Sequence, residues 1–260
     1  MIKKVIITSI NEYGKKKTYR MEHVNKIQKI IENLGLRADY REIDEKFPKI
    51  MKREDNVLVF NLVPYYEGKY SMLVPATCDF LGIPYTGSGI FTLSTLRNGF
   101  FKDILEYHGL TVIPSMQEWS TQFSVLESNE ELVFHGMDVD KDGEVLKGCT
   151  LEEKTRQYFE SVLQLVKNSL KLHDYFEINI SFRPVKAKGH AIVKVNPCPN
   201  FAVNSLYIST LRNKGLDYED IICYAIGHSM KRQNFEIPFE LENIKQKILK
   251  RKQEEAFIIY

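Results

Sequence analysis

Residues able to do chemistry are scattered along this chain, and most of their local patterns have a plain structural explanation. Asp138, Asp140 and Asp142, followed by Gly143, open like the calcium loop of a helix-loop-helix site. That loop needs a bidentate glutamate at its twelfth position, where this chain carries Cys149. An acidic hairpin turn is the better reading. Lys15, Lys16 and Lys17 follow Gly14 at a place suited to meet a phosphate, but a solvated charge run accounts for them more simply. The same holds for Lys245, Lys247, Lys250, Arg251 and Lys252 near the C-terminus. Cys78, Cys149, Cys198 and Cys223 form no C-x-x-C pair and read as free thiols rather than a disulfide framework or a zinc site. His23, His108, His135, His173, His190 and His228 form no H-x-x-x-H pair, so a histidine-built metal site is not expected. Gly87-Ser88-Gly89 is a weak signal by itself.

The composition narrows the class. With 260 residues, 43% hydrophobic and 27% charged, the chain is an ordinary globular protein with room for two lobes. Disordered, collagen-like and low-complexity readings fall away. No apolar run approaches the ~18 residues of a membrane-spanning helix. The opening Met1-Ile2-Lys3-Lys4 leads into a run too short for a signal peptide. A net charge of +2 and a pI near 8.2 lack the basic footprint of a nucleic-acid-binding domain. The expected address is the cytoplasm, with no membrane and no nucleic-acid partner.

Elements that would position a site follow from the hydrophobic period. Val5-Ile6-Ile7 reads as a buried strand, and Val24, Ile27, Ile31 and Leu34 recur at helical spacing before Gly35. Strands are predicted over 36–43 and 57–60, which gives alternating strands and helices and hence a parallel sheet. This first lobe closes near Thr86-Gly87-Ser88-Gly89, and helical stretches follow over 92–96 and 100–108 before a strand carrying Val112 and Ile113. The polar segment 120–131 shows no usable pattern. Strands at 132–134 and 144–146 flank a turn at Lys141-Asp142-Gly143. Thr150 and Glu153 make a capping box for a long helix with Tyr158, Val162, Leu165 and Val166 as its apolar stripe. Paired strands over 175–182 and 191–195, a helix over 218–226 and a basic tail helix over 241–252 complete an α+β second lobe.

Several segments, taken in order, carry a resemblance. Phe60-Asn61-Leu62 and Val74-Pro75-Ala76 precede Leu81-Gly82-Ile83-Pro84-Tyr85-Thr86-Gly87-Ser88-Gly89. Much later come Val195-Asn196-Pro197-Cys198-Pro199-Asn200-Phe201, then Asn204-Ser205-Leu206, then Gly215-Leu216-Asp217-Tyr218-Glu219-Asp220-Ile221. Together these resemble D-alanine:D-alanine ligases of the ATP-grasp superfamily: their "F-N-L … L-G-I-P-Y-T-G-S-G" stretch, their "E-V-N-x-x-P-G-x-x-x-x-S-L" segment and their "A-G-x-x-Y-x-x-L-I" helix. The resemblance covers residues 1–118 and about 150–232. It implies an α/β class: an N-terminal parallel-sheet, Rossmann-like lobe over 1–89, a remnant of a central lobe and linker over 90–149, and an α+β ATP-grasp-like lobe over 150–260.

The resemblance also implies ATP-driven activation of a carboxylate for attack by an amine, with magnesium on the phosphates, lysines against the charge and an arginine at the acyl phosphate. This chain departs from that set at each point. The arginine and the metal aspartate of the family strand correspond to Glu177 and Asn179, and the bridging metal glutamate to Lys194. Only the asparagine of the metal segment remains, as Asn196. At ~4 Å and an effective dielectric of ~20 a unit pair is worth about 4 kcal/mol, so Lys194 beside a divalent ion opposes it by roughly twice that. The family's first phosphate lysine falls on Asn98-Gly99, with Lys102 nearby and out of register. Its "G-S-S-x-G-V" loop has no counterpart, and the span from Gly89 to Val195 is too short for the full nucleotide lobe.

Two expectations of different class result. The favoured one is a catalytically inactive ligase-like protein, a pseudoenzyme with no expected cofactor. It binds a protein partner, a second copy through its N-terminal lobe, or a small amino acid or dipeptide. Its implied contacts are Glu12, Ser205 and Leu206 for the ligand. The alternative is an active ATP-dependent carboxylate:amine ligase of the D-Ala-D-Ala or dipeptide type, using ATP and magnesium at an altered site. There Lys102 and Lys194 meet the nucleotide, Asn196 meets the metal, and Asp138, Asp140 or Glu153 adds a ligand.

Overall fold

The computed structural model describes residues 2–10, 16–64, 69–113, 119–128, 131–140, 145–149, 153–182 and 190–237. Glu12, the Lys141–Gly143 turn, Thr150 and the basic tail after residue 237 lie outside these. The first lobe runs β1 (Lys4–Ser9), α1 (Lys16–Asn33), β2 (Arg37–Glu42), α2 (Phe47–Met51), β3 (Val57–Asn61) and α3 (Lys69–Leu81). Its three strands are parallel in the order β2-β1-β3, with Val59 bridging in parallel to Tyr85 beyond them. The unbroken apolar runs of β1 and β3 suit a sheet packed on both faces, and both strands are buried along most of their length. Periodicity does not reveal α3, because Pro75, ordinarily a helix breaker, lies inside it.

The second lobe follows α4 (Ile90–Arg97) and α5 (Phe101–Tyr107). Its elements are β4 (Thr111–Val112), β5 (Trp119–Ser128), β6 (Glu131–Asp140), β7 (Val145–Cys149), α6 (Glu153–Leu170), β8 (Tyr175–Phe182), β9 (His190–Asn196), α7 (Leu206–Arg212) and α8 (Tyr218–Arg232). All six strands join one sheet in the order β4-β9-β8-β5-β6-β7. Only residues 113–118 separate β4 from β5 along the sequence. Glu131 opens β6, and most of the patternless stretch 120–131 falls in the long strand β5, central to the sheet.

Its lack of pattern has a physical origin in the two faces. Phe123, Val125, Phe176, Ile178, Ile180 and Ile192 share a dry core with α6. On the other face stand Ser120, Gln122 and Ser124 of β5 with Glu177 and Asn179 of β8, by strict alternation and the pairings Gln122–Asn179 and Ser124–Glu177. α6 buries Phe159, Val162, Leu163, Val166 and Leu170, whereas Tyr158 is 47% exposed; the predicted stripe is rotated by one residue at its start. α7 and α8 pack on the opposite face in a core continuous with β1, β3 and α1 of the first lobe. Asp138 is a buried strand residue rather than part of a turn, and its carboxylate accepts a hydrogen bond from the Thr121 hydroxyl at 2.7 Å.

Candidate functional site

Two polar clusters interrupt these cores. The first lies across β5, β8 and β9. The register pairs Glu177 with Asn196 and Asn179 with Lys194, so all four side chains share the sheet face that carries Gln122. Gln122 Nε2 donates to Glu177 Oε1 at 2.8 Å, and Asn196 Nδ2 donates to Oε2 at 2.7 Å. Asn196 in turn accepts from the Cys198 backbone N–H at 3.1 Å, which shapes the turn after β9. Asn179 donates to the Ser120 hydroxyl at 3.3 Å. Burial lifts the Glu177 carboxyl to about 7, although the Asn196 hydrogen bond and the Lys194 charge pull the other way. His135 of β6, paired with Ser124, is pushed below its ordinary range, first by burial and then by Lys214 and Arg156.

The second cluster fastens the lobes together. Asp174, with φ +62°, is fully buried at the start of β8. Its Oδ2 accepts from the Gly87 N–H at 2.7 Å and from Arg232 Nη2 at 3.1 Å. Its Oδ1 lies 2.8 Å from His228 Nδ1 and accepts from Arg232 Nε at 3.2 Å. Burial raises the Asp174 pKa, but the His228 and Arg232 contacts outweigh it and leave the carboxyl below its usual range. Glu127 accepts from the Asp174 N–H at 3.0 Å and meets Lys167 at 2.6 Å. Around them the Thr86 hydroxyl lies 2.9 Å from the Tyr175 hydroxyl, and Ser88 accepts from the His173 N–H at 3.1 Å.

This cluster explains the glycine-rich turn. Gly87 has φ +88°, and a Cβ there would stand 3.0 Å from the Tyr175 hydroxyl oxygen. Gly87→Ala is expected to lose about 2 kcal/mol from the left-handed backbone and the clash together, read as a lower urea midpoint at unchanged slope. An equal midpoint would remove this account of the turn.

Neither cluster offers side chains suited to a divalent metal. Glu127, Asp174 and His228 bring ligand atoms within 4.8 Å of one another, but the Asp174 oxygens already receive N–H donors and Glu127 holds Lys167. Two carboxylates against Arg232 and Lys167 leave no charge for an ion to neutralise. On β8 and β9 the one carboxyl, Glu177, is lifted to about 7 by burial and has an ammonium-bearing residue as its neighbour, so it offers a divalent ion little net charge, whereas magnesium is normally held by ionised carboxylates together with phosphates. The side chains at either cluster do not fit magnesium.

The candidates from the sequence divide accordingly. Lys194 and Asn196 come together with Glu177. Leu206 opens α7, whose Tyr207 feels the Glu177 charge. Ser205 caps α7, accepting from the Ile208 N–H at 3.3 Å and donating to the Asn200 carbonyl, so local structure uses its hydroxyl. Ser205→Ala is expected to cost about 1 kcal/mol of stability, read by denaturant unfolding. Lys102 sits apart on α5, whose Leu105 enters the core under the opposite sheet face, and pairs with Glu106 at 3.9 Å. Asp138 also belongs to the opposite face, because its partner Thr121 alternates with Gln122. Gln122, Asp174, His228 and Arg232 carry no sequence signal strong enough to single them out. Only the spacing of His228 and Arg232, one helical turn apart, hints at a shared partner.

The geometry has counterparts among solved structures. No protein-family model matches the sequence, and no curated protein matches it. The chain is similar to D-alanine–D-alanine ligase from Bacillus anthracis complexed with ATP, at a TM-score of 0.68 and 14% identity over 88% of this chain and 98% of that one. For the ligase from Coxiella burnetii the TM-score is 0.67 and the identity 10%, over 98% and 99%. For the VanG D-Ala:D-Ser ligase from Enterococcus faecalis the values are 0.67 and 11%, over 88% and 100%. The chain therefore has the ligase fold expected from its motifs, with a parallel α/β lobe followed by a lobe built on a mixed sheet.

Proposed function

We propose that this chain is a D-alanine:D-alanine ligase-like cytoplasmic protein that has left catalysis and acts by binding, either to an amino-acid-like ligand or to a protein partner. The observation that carries this reading is the register of β8 against β9. It sets Glu177 and Asn179 opposite Asn196 and Lys194, at the positions where the resemblance calls for an arginine, a metal aspartate, a metal asparagine and a metal glutamate. A carboxyl in place of the arginine and an ammonium in place of the metal glutamate reverse the charges that transfer of a phosphoryl group uses. The short passage from β4 to β5 agrees, because residues 113–118 cannot hold a nucleotide-gripping lobe.

For a partner or second copy, the N-terminal lobe is the favoured contact. Phe80 on α3 is 88% exposed beside a groove that Pro48, Lys52, Ala76 and Leu81 line. Calorimetric titration of the purified protein with ATP and magnesium, followed by phosphate release with D-alanine present, tests the reading. No nucleotide binding at millimolar ATP and no phosphate release is the expected result. Micromolar binding with turnover would establish instead an active carboxylate:amine ligase.

A further inference from the structure

A sheet face that only packs a core is apolar, as the face beneath α6 is, with Phe123, Phe176, Ile178 and Ile180 completely buried. The face that carries Glu177 is graded instead. Ser120, Ser124 and Asn179 form a buried floor, Gln122, Glu177 and Asn196 stand half-buried above it, and Lys194 is exposed at the rim. Burying polar groups is unfavourable unless they are satisfied, and among the described residues the Ser124 hydroxyl has no partner although it is fully buried. Ser124 pairs with Glu177 across the strands, so the unused hydroxyl lies on the same face as the carboxyl. Lys194 makes no ion pair with a described residue, yet its charge reaches Glu177. One acidic and one basic side chain therefore stand on adjacent strands, diagonal to each other, over a floor of neutral hydrogen-bonding groups.

We propose that this face is a binding site for a small zwitterion, with a primary ammonium on Glu177 and a carboxylate on Lys194. The proposal rests on the binding reading above and specifies the chemistry of that ligand. Glu177 is the anchor, since Gln122 and Asn196 fix both carboxylate oxygens from neighbouring strands and hold the group in one orientation. Diagonal neighbours across a strand pair are about 7–8 Å apart at Cα, a span that an amino acid bridges once the lysine side chain reaches inward. A purely anionic ligand finds Lys194 alone and meets Glu177 as a repulsive neighbour. A purely cationic one meets the reverse.

Amide NMR titrations with D-alanine, ethylamine and propionate, without nucleotide or metal, test the assignment. D-Alanine is expected to shift the β8 and β9 resonances saturably and to bind at least tenfold more tightly than ethylamine or propionate. Glu177→Gln keeps one of the two amide contacts with a neutral side chain; it should weaken D-alanine and ethylamine at least tenfold and, by removing the repulsive neighbour, tighten propionate. Lys194→Ala should weaken D-alanine and propionate and tighten ethylamine. Thermal melts of both variants verify folding. D-Alanine binding indifferent to Glu177→Gln, propionate binding as tight as D-alanine, or no saturable shift with any probe up to 50-fold excess over millimolar affinity overturns the proposal. None of these outcomes bears on ATP turnover, which is read separately, so failure of this site and failure of the non-catalytic reading are told apart.

Discussion

Asp174→Ala is expected to destabilise the protein by about 3–5 kcal/mol, against a total of roughly 5–15 kcal/mol for a domain of ordinary stability. The magnitude comes from what the substitution leaves behind. The carboxylate is fully buried and receives the Gly87 N–H and two Arg232 nitrogens, with His228 Nδ1 also against it. Removing it strands the Arg232 guanidinium, whose pKa burial lowers and Asp174 more than restores, beside Tyr85 and Gly87 carbonyls that satisfy only one of its nitrogens. It also leaves the Gly87 amide without an acceptor at a turn already confined to positive φ. Asp174→Asn keeps the shape and an acceptor but loses the charge, and is expected to cost about 1–3 kcal/mol. The double variant Asp174→Ala with Arg232→Met should recover part of the loss, because the Arg232 charge is then no longer left buried without its partner. Urea unfolding of these four proteins and of Arg232→Met alone reads all of this. An Asp174→Ala change below about 1 kcal/mol, or a double variant less stable than the sum of the singles, would remove the clamp as a source of stability.

The clamp also marks where a sequence ceases to be legible. Strands β1 and β3, helix α1 and the β8–β9 pair can be read, because each announces itself through local period and turn residues. The inversion at Glu177 and Lys194 is legible as well, since the segments around them fix the register. Asp174 is not. It occupies a left-handed position normally given to glycine or asparagine, and its partners come from a turn, a helix and a strand that no short-range pattern links. Likewise β5 is overlooked although Phe123 and Val125 alternate with Gln122 and Ser124 as in a half-buried strand, because the alternation is short and Leu126 breaks it. Pro75 hides α3 by a true local rule that tertiary packing overrides. What eludes local pattern in each case is a residue whose role is set by distant neighbours.

Glu177→Gln is expected to stabilise the protein by about 3 kcal/mol above pH 7 and by nothing below about pH 4.5. The sign follows from the two end states. Glu177 has a folded pKa of about 7 against 4.5 for the ordinary group, so at low pH it is protonated in both states and contributes no difference. Between those values the unfolded chain gives up its proton first, and stability falls as pH rises. Above 7 the full penalty of holding the carboxylate in this half-buried place is present and constant. Glutamine carries no such charge, and its amide oxygen still accepts from one of Gln122 or Asn196, so the gain is the penalty less the weaker second contact. Urea titrations of both proteins between pH 4 and pH 8.5 read the difference directly. A difference that does not grow with pH, or a Gln variant less stable at pH 8, sinks the argument. A carboxyl held at such a cost, where a neutral isostere fits, is the stability signature of a group kept for an interaction with something outside the fold. An ammonium ligand that neutralises it relieves that cost, so millimolar D-alanine at pH 8 should raise the melting temperature of the Glu177 protein and leave that of the Gln variant where it was.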